Sequence, residues 1–141
     1  MSNLLAVNIN LVAVVLGAAS SMVIGAIWYS KIGLGKTWMK LSGISQKEID
    51  AQKSQMGKVY GMAFVGALIT AYILAVILDL VGAITVGEGL QVGFLIWLGF
   101  IATTTLSSVL FENKKTELYI LNNGYSLISI LVMSLILVLL G

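Results

Sequence analysis

The residues of this chain that could do chemistry are hydroxyls and primary amides set in apolar surroundings. Thr103-Thr104-Thr105 and Ser107-Ser108 lie in one greasy stretch, and Asn122-Asn123 stand near the start of the next. Glu112 is the acid grouped with them. Thr103, Thr104, Ser107, Glu112, Asn122 and Asn123 therefore form a candidate polar pocket, a track from mid-depth to one membrane surface. A primary amide has four hydrogen-bonding sites to satisfy, which makes the asparagine pair the most suggestive element. Two roles compete for the cluster. The hydroxyls can bond their own i−4 carbonyls or a neighbouring helix, as glue worth about 0.6 kcal/mol each. They can instead line a solute path, which requires a water-accessible cavity reaching Thr103 or Ser107. Hydroxyls wholly spent on backbone carbonyls in a dry bundle would remove that path.

Other chemistry lacks its usual groups. Cysteine, histidine and arginine are all absent. No thiolate, imidazole or planar guanidinium is on offer, and no carboxylate pair lies at depth. The reading is non-enzymatic, with no catalytic residue, no metal and no cofactor. Gly33-Leu34-Gly35-Lys36-Thr37 imitates the end of a phosphate-binding loop. Ser30 stands where the first glycine of that motif belongs, and an apolar run precedes it rather than a strand. Neither nucleotide nor nucleic acid is expected as a partner.

The elements that hold these residues follow from composition. The chain has 141 residues, 59% apolar and only 10% charged. Its mean hydropathy of +1.03 is too high for a protein dissolved in water. A hydrocarbon core of about 30 Å needs about 20 apolar residues per helix. Four windows qualify: about 10–29, 59–80, 90–111 and 118–140. Proline is absent, which suits long helices. The first span lacks a basic leader and ends in Trp28-Tyr29, so it reads as a retained anchor.

Orientation comes from lysine. All eight lysines fall in the loop 30–58 or in the short loop before the fourth span. The positive-inside rule places both loops in the cytoplasm and both termini outside. Trp28, Tyr29 and Trp38 are the expected interface anchors, since amphipathic rings favour the headgroup level. Anionic lipid on the cytoplasmic side is the expected partner, drawn by surface potential. The location is the cytoplasmic (inner) cell membrane.

Lipid is as apolar as leucine, so helices must meet through small residues and hydrogen bonds. Ala13, Gly17, Ser21 and Gly25 are spaced by four in the first span. Ala63, Ala67, Ala71 and Ala75 repeat that spacing in the second, and Gly99 opens a similar stripe in the third. These are the expected packing faces, within one protomer or in a homo-oligomer. In the loop, Leu34, Trp38 and Leu41 mark one face of a short amphipathic helix. Ser45 and Glu48 form a capping box for a second, running to about Met56 and on into the next span.

Certain motifs match a known family. Asn8-Ile9-Asn10, Gly25-Ala26-Ile27-Trp28-Tyr29-Ser30, Gly35-Lys36-Thr37-Trp38, Trp97-Leu98-Gly99-Phe100, Ala102-Thr103-Thr104, Val109-Leu110-Phe111 and Asn122-Asn123-Gly124-Tyr125 occur in the expected order. On these the chain resembles the bacterial domain-of-unknown-function 1761 family of small membrane proteins. Members often have proline after Trp-Tyr-Ser, where this chain has Lys31. The resemblance implies a four-span membrane domain and supplies no activity.

The expectation is an all-α integral membrane four-helix bundle, a single transmembrane domain over 1–141. Its first loop carries a short amphipathic helix. The expected role is packing, interaction or binding. The alternative is an oligomeric small-solute or ion transporter or channel using the polar cluster.

Overall fold

The computed structural model describes residues 8–30 and 32–141. Residues 1–7 and Lys31 lie outside the described residues. Among the described residues every regular element is helical, and four helices are long and apolar enough to cross a membrane. The chain is a multi-pass membrane protein.

Helix α1 spans Leu11–Trp28. Asn10 starts it, its side-chain oxygen accepting from the backbone N–H groups of Val12 and Ala13 at 3.0 and 3.3 Å. Such a cap contributes about 1 kcal/mol. The same amide donates to the Leu140 carbonyl at 2.7 Å, which ties the first span to the last. After Trp28 the chain doubles back within a few residues. Leu34 N–H donates to the Trp28 carbonyl at 2.7 Å and Gly35 N–H to that of Ser30 at 2.9 Å. A Cβ on Gly33 or Gly35 would overlap the carbonyls of Ile27 or Tyr29. The glycine pair that imitates a phosphate loop thus permits a tight reversal.

Helix α2 (Gly35–Ser42) and helix α3 (Gln46–Ala51) fill the first loop. Ser45 caps α3, accepting from Glu48 N–H at 3.2 Å. The helix expected to reach Met56 stops at Ala51. A 3-10 turn over Lys53–Gln55 then leads into α4 (Met56–Val81). The polar run Gln52–Gln55 has no apolar face to pack, so nothing holds it in a longer α-helix. Gly82, at φ 72°, closes α4 in the left-handed conformation. Thr85 then caps α5, and Glu88 reaches back to accept from Ile84 N–H at 2.9 Å.

Helix α5 runs over Val86–Phe111 and is interrupted. A regular segment, Val86–Trp97, passes into a π-helical turn at Leu98–Ala102 and then two short pieces, Thr103–Thr105 and Ser107–Phe111. Helix α6 spans Thr116–Leu140. It lies against both α1 and α5, and α1 also packs on α4.

The core gathers in the half away from the lysines. Ala13 and Val14 of α1, Ala71, Leu74, Ala75 and Leu78 of α4, and Met133 and Leu137 of α6 form one buried cluster. Gly17 lets the Met133 side chain come close, since a Cβ there would stand 3.2 Å from Met133 Cγ. Toward the other end α4 departs from its neighbours. None of its residues from Met56 to Thr70 is buried, and Gly57, Gly61 and Gly66 have nothing within 4 Å of a built Cβ. The loops before α4 and before α6 share this end, where Trp28 of α1 meets Leu121 of α6.

Candidate functional site

The start of α6 is the junction of the lysine-bearing half. The Trp28 indole N–H donates to the Leu121 carbonyl at 3.1 Å, and the Trp97 indole to the Asn123 carbonyl at 3.0 Å. Tyr29 O–H donates to Asn122 Oδ1 at 2.7 Å. The Thr105 hydroxyl shares its proton between the Ile101 carbonyl at 2.7 Å and Asn123 Oδ1 at 3.1 Å. Tyr125 O–H reaches back to the Ser21 carbonyl at 2.9 Å, and Tyr119 O–H donates to the Ala102 carbonyl. Away from water these donors must find partners within the protein, and they find them across helices. Gly124 admits the Trp28 ring and Gly25 admits the Tyr125 ring. A Cβ at either glycine would stand 3.2 Å from the nearest aromatic-residue atom.

The structure brings four of the six residues of the expected polar pocket to one groove and leaves Thr103 and Glu112 out of it. Successive residues of a helix point about 100° apart. Asn122 accordingly reaches α1 through Tyr29, while Asn123 turns to α5 through Thr105. Thr103, Thr104 and Ser107 donate to carbonyls of their own helix: Gly99 at 2.8 Å, Phe100 at 2.8 Å and Thr104 at 3.1 Å. Glu112 is exposed and sits 3.8 Å from Lys114 in a surface ion pair. Thr104, Ser107, Asn122 and Asn123 do line a common groove of about 430 Å³ between α5 and α6. Thr103 and Glu112 are not part of its lining.

A π turn interrupts α5 just before these residues. It accommodates one extra residue, so positions beyond it turn by about 100° from the face that a 3.6-residue period assigns. Thr105 rather than Thr103 meets α6. Gly99, expected on a packing face, has nothing within 4 Å of a built Cβ. The glycines that bring α5 onto α6 are Gly89 and Gly93. A Cβ on Gly89 would stand 2.5 Å from Val138 Cγ2, and one on Gly93 would overlap the Ser134 hydroxyl. Their spacing of four was a readable sign of a close helix contact.

The other expected packing residues divide by depth. Ala13, Gly17, Ser21, Ala71 and Ala75 are buried, Gly25 faces Tyr125, Ala67 is half-buried and Ala63 is exposed. Trp28 and Tyr29, expected as interface anchors, direct their polar atoms inward to α6. Trp38 lies edge-on to Tyr29, with ring centroids 6.0 Å apart.

A second space opens where α4 stands away. A cleft of about 590 Å³ between α1, α4 and α6 is lined by Gly25, Tyr29, Tyr60, Ala63 and Tyr125, among others. Beneath it a cavity of about 530 Å³ runs between the end of α1 and the loop helices, past Lys36, Trp38, Met39 and Ile49. Tyr29 lines both spaces. Its position is fixed by the Asn122 bond and by an edge-on contact with Tyr125 at 5.5 Å. Sequence reasoning missed this cleft; its sign was the set of tyrosines near the lysine-bearing helix ends. No group of three His, Cys, Asp or Glu side chains among the described residues could hold a metal ion.

A family model described as "Protein of unknown function (DUF1761)" matches residues 12–138. No curated protein matches the chain, and no solved structure does.

Proposed function

The chain belongs to the DUF1761 family of unknown function, and from that premise we propose that it is a non-enzymatic binding module of the cytoplasmic membrane. Its lysine-bearing end faces the cytoplasm and both termini lie outside. The orientation rests on charge. Eight lysines and four acids belong to one end, and Asp79 and Glu88, without a lysine, to the other.

The single observation that carries the binding role is the Tyr29-centred cleft. At this depth the bundle spends its aromatic donors on its own carbonyls, yet it leaves an apolar space beside them. The volume falls in the range of about 300–1,000 Å³ that suits small-molecule sites. A photo-reactive residue placed at Ala63 in native membranes should give adducts well above those from exposed Phe100. Equal, background-level labelling at both positions would remove the binding role.

A second reading is transport along the groove between α5 and α6, favoured by the presence of Ser107 and Asn122 in its lining. Against it, the hydroxyls of Thr104 and Ser107 already donate to backbone. Because the chain has no cysteine, Ser107→Cys gives a clean probe. The binding reading expects polar thiol reagents to reach it from the lysine-bearing side only. Access from both sides would favour transport.

A further inference from the structure

We propose that the Tyr29-centred cleft holds one molecule of anionic lipid, with an acyl chain between α1 and α4 and the phosphate headgroup at Lys36. The inference rests on the binding role above and names its ligand class.

Three features of the structure point to this occupant. First, two mainly apolar spaces adjoin at Tyr29, and one of them carries a cation at its edge. The upper cleft, about 590 Å³, is walled by Met22, Gly25, Ala26 and Ala63 with the Tyr60 and Tyr125 rings. The lower cavity, about 530 Å³, includes the Lys36 side chain. A free phosphate would use only the Lys36 edge, and a plain hydrocarbon would leave Lys36 unused. A lipid uses both. Second, the position suits a lipid. The upper cleft lies beside the lysine-bearing half of α4, where no residue from Met56 to Thr70 is buried, and the lower cavity lies against the amphipathic loop helices. Helices of that kind rest where headgroups meet acyl chains. Third, the charge is complementary. Lys36 makes no ion pair among the described residues, and no carboxylate lines either space. Polar contacts at the rim are pre-set, because Tyr29 is held by Asn122 and packed on Trp38 and Tyr125. A site ordered before binding loses less entropy when its ligand arrives.

Native mass spectrometry of the full chain in detergent, titrated with phosphatidylglycerol or phosphatidylcholine, tests the assignment. One phosphatidylglycerol should be retained in preference, by about tenfold, and millimolar inorganic phosphate should not displace it. Lys36→Gln should abolish the preference, and Ala63→Phe, at an exposed helix position, should lower retention of both lipids. Lys114→Gln, at the same end but outside the cleft, should leave the preference intact. Equal retention of the two lipids, displacement by inorganic phosphate, or an equal loss in Lys114→Gln and Lys36→Gln would overturn the lipid site. The last of these would reduce it to surface potential. Protein rather than lipid adducts at Ala63 would also overturn it while leaving the binding role standing. Absence of any adduct would remove both.

Discussion

Side chains of α6 decide how the helices meet at the lysine-bearing end. Leu121 and Asn123 lend carbonyls to two indoles, and the amides of Asn122 and Asn123 hold α1 and α5 separately. The importance of the asparagine pair was legible in the residue types, because an amide in hydrocarbon needs partners. That the two amides serve different helices followed from the 100° step between neighbours. Their partners Tyr29 and Thr105 did not, since no pattern in one span names a residue in another. Glycine offers the sharpest test at this scale. Gly93 touches the Ser134 side chain and Gly99 touches nothing. Gly93→Ala should destabilise the protein by about 1–3 kcal/mol through overpacking. Gly99→Ala should cost less than that. Thermal unfolding in detergent compares them, and equal losses would contradict the assigned contact.

Helix α5 owes its form to a hydrogen-bond register that residue types do not record. Its hydroxyls were visible as back-bonding candidates, and Thr103, Thr104, Thr105, Ser107 and Ser108 each donate to a carbonyl three or four residues earlier. Such bonds bend a helix and serve carbonyls that a π turn displaces. The turn itself was not legible, and it shifted every face predicted beyond Ala102. In this cysteine-free chain, Thr105→Cys paired with Asn123→Cys should cross-link readily under oxidation. Thr103→Cys paired with Asn123→Cys should not. The reverse result would mean that α5 keeps an unbroken α-helical register. The loop helices gave a milder lesson. Ser45 and Glu48 marked the start of α3 correctly, but its end depends on the absence of packing beyond Ala51.

At the scale of the whole molecule, solvent does most of the specifying. Four long apolar stretches with their charges at the ends dictate an all-helical membrane protein, because only satisfied backbones cross a bilayer without a closed barrel. That much was legible from composition and run length. The placement of α4, close to α1 at one end and apart at the other, was not. A helix that is apolar all round does not tell which side is covered by protein and which by lipid. The cleft, and with it the proposed binding site, arises from that divergence and so lay beyond the reach of sequence patterning.

The proposed orientation puts the lysine-bearing end, with its cleft, in the cytoplasm. Single cysteines at Lys40, Lys114 and Asp79, treated with a membrane-impermeant maleimide in intact cells and in inverted vesicles, report it. Lys40→Cys and Lys114→Cys should label only in inverted vesicles, and Asp79→Cys only from outside. Labelling of Lys40→Cys and Lys114→Cys from opposite sides, or of both from outside, would rule that orientation out.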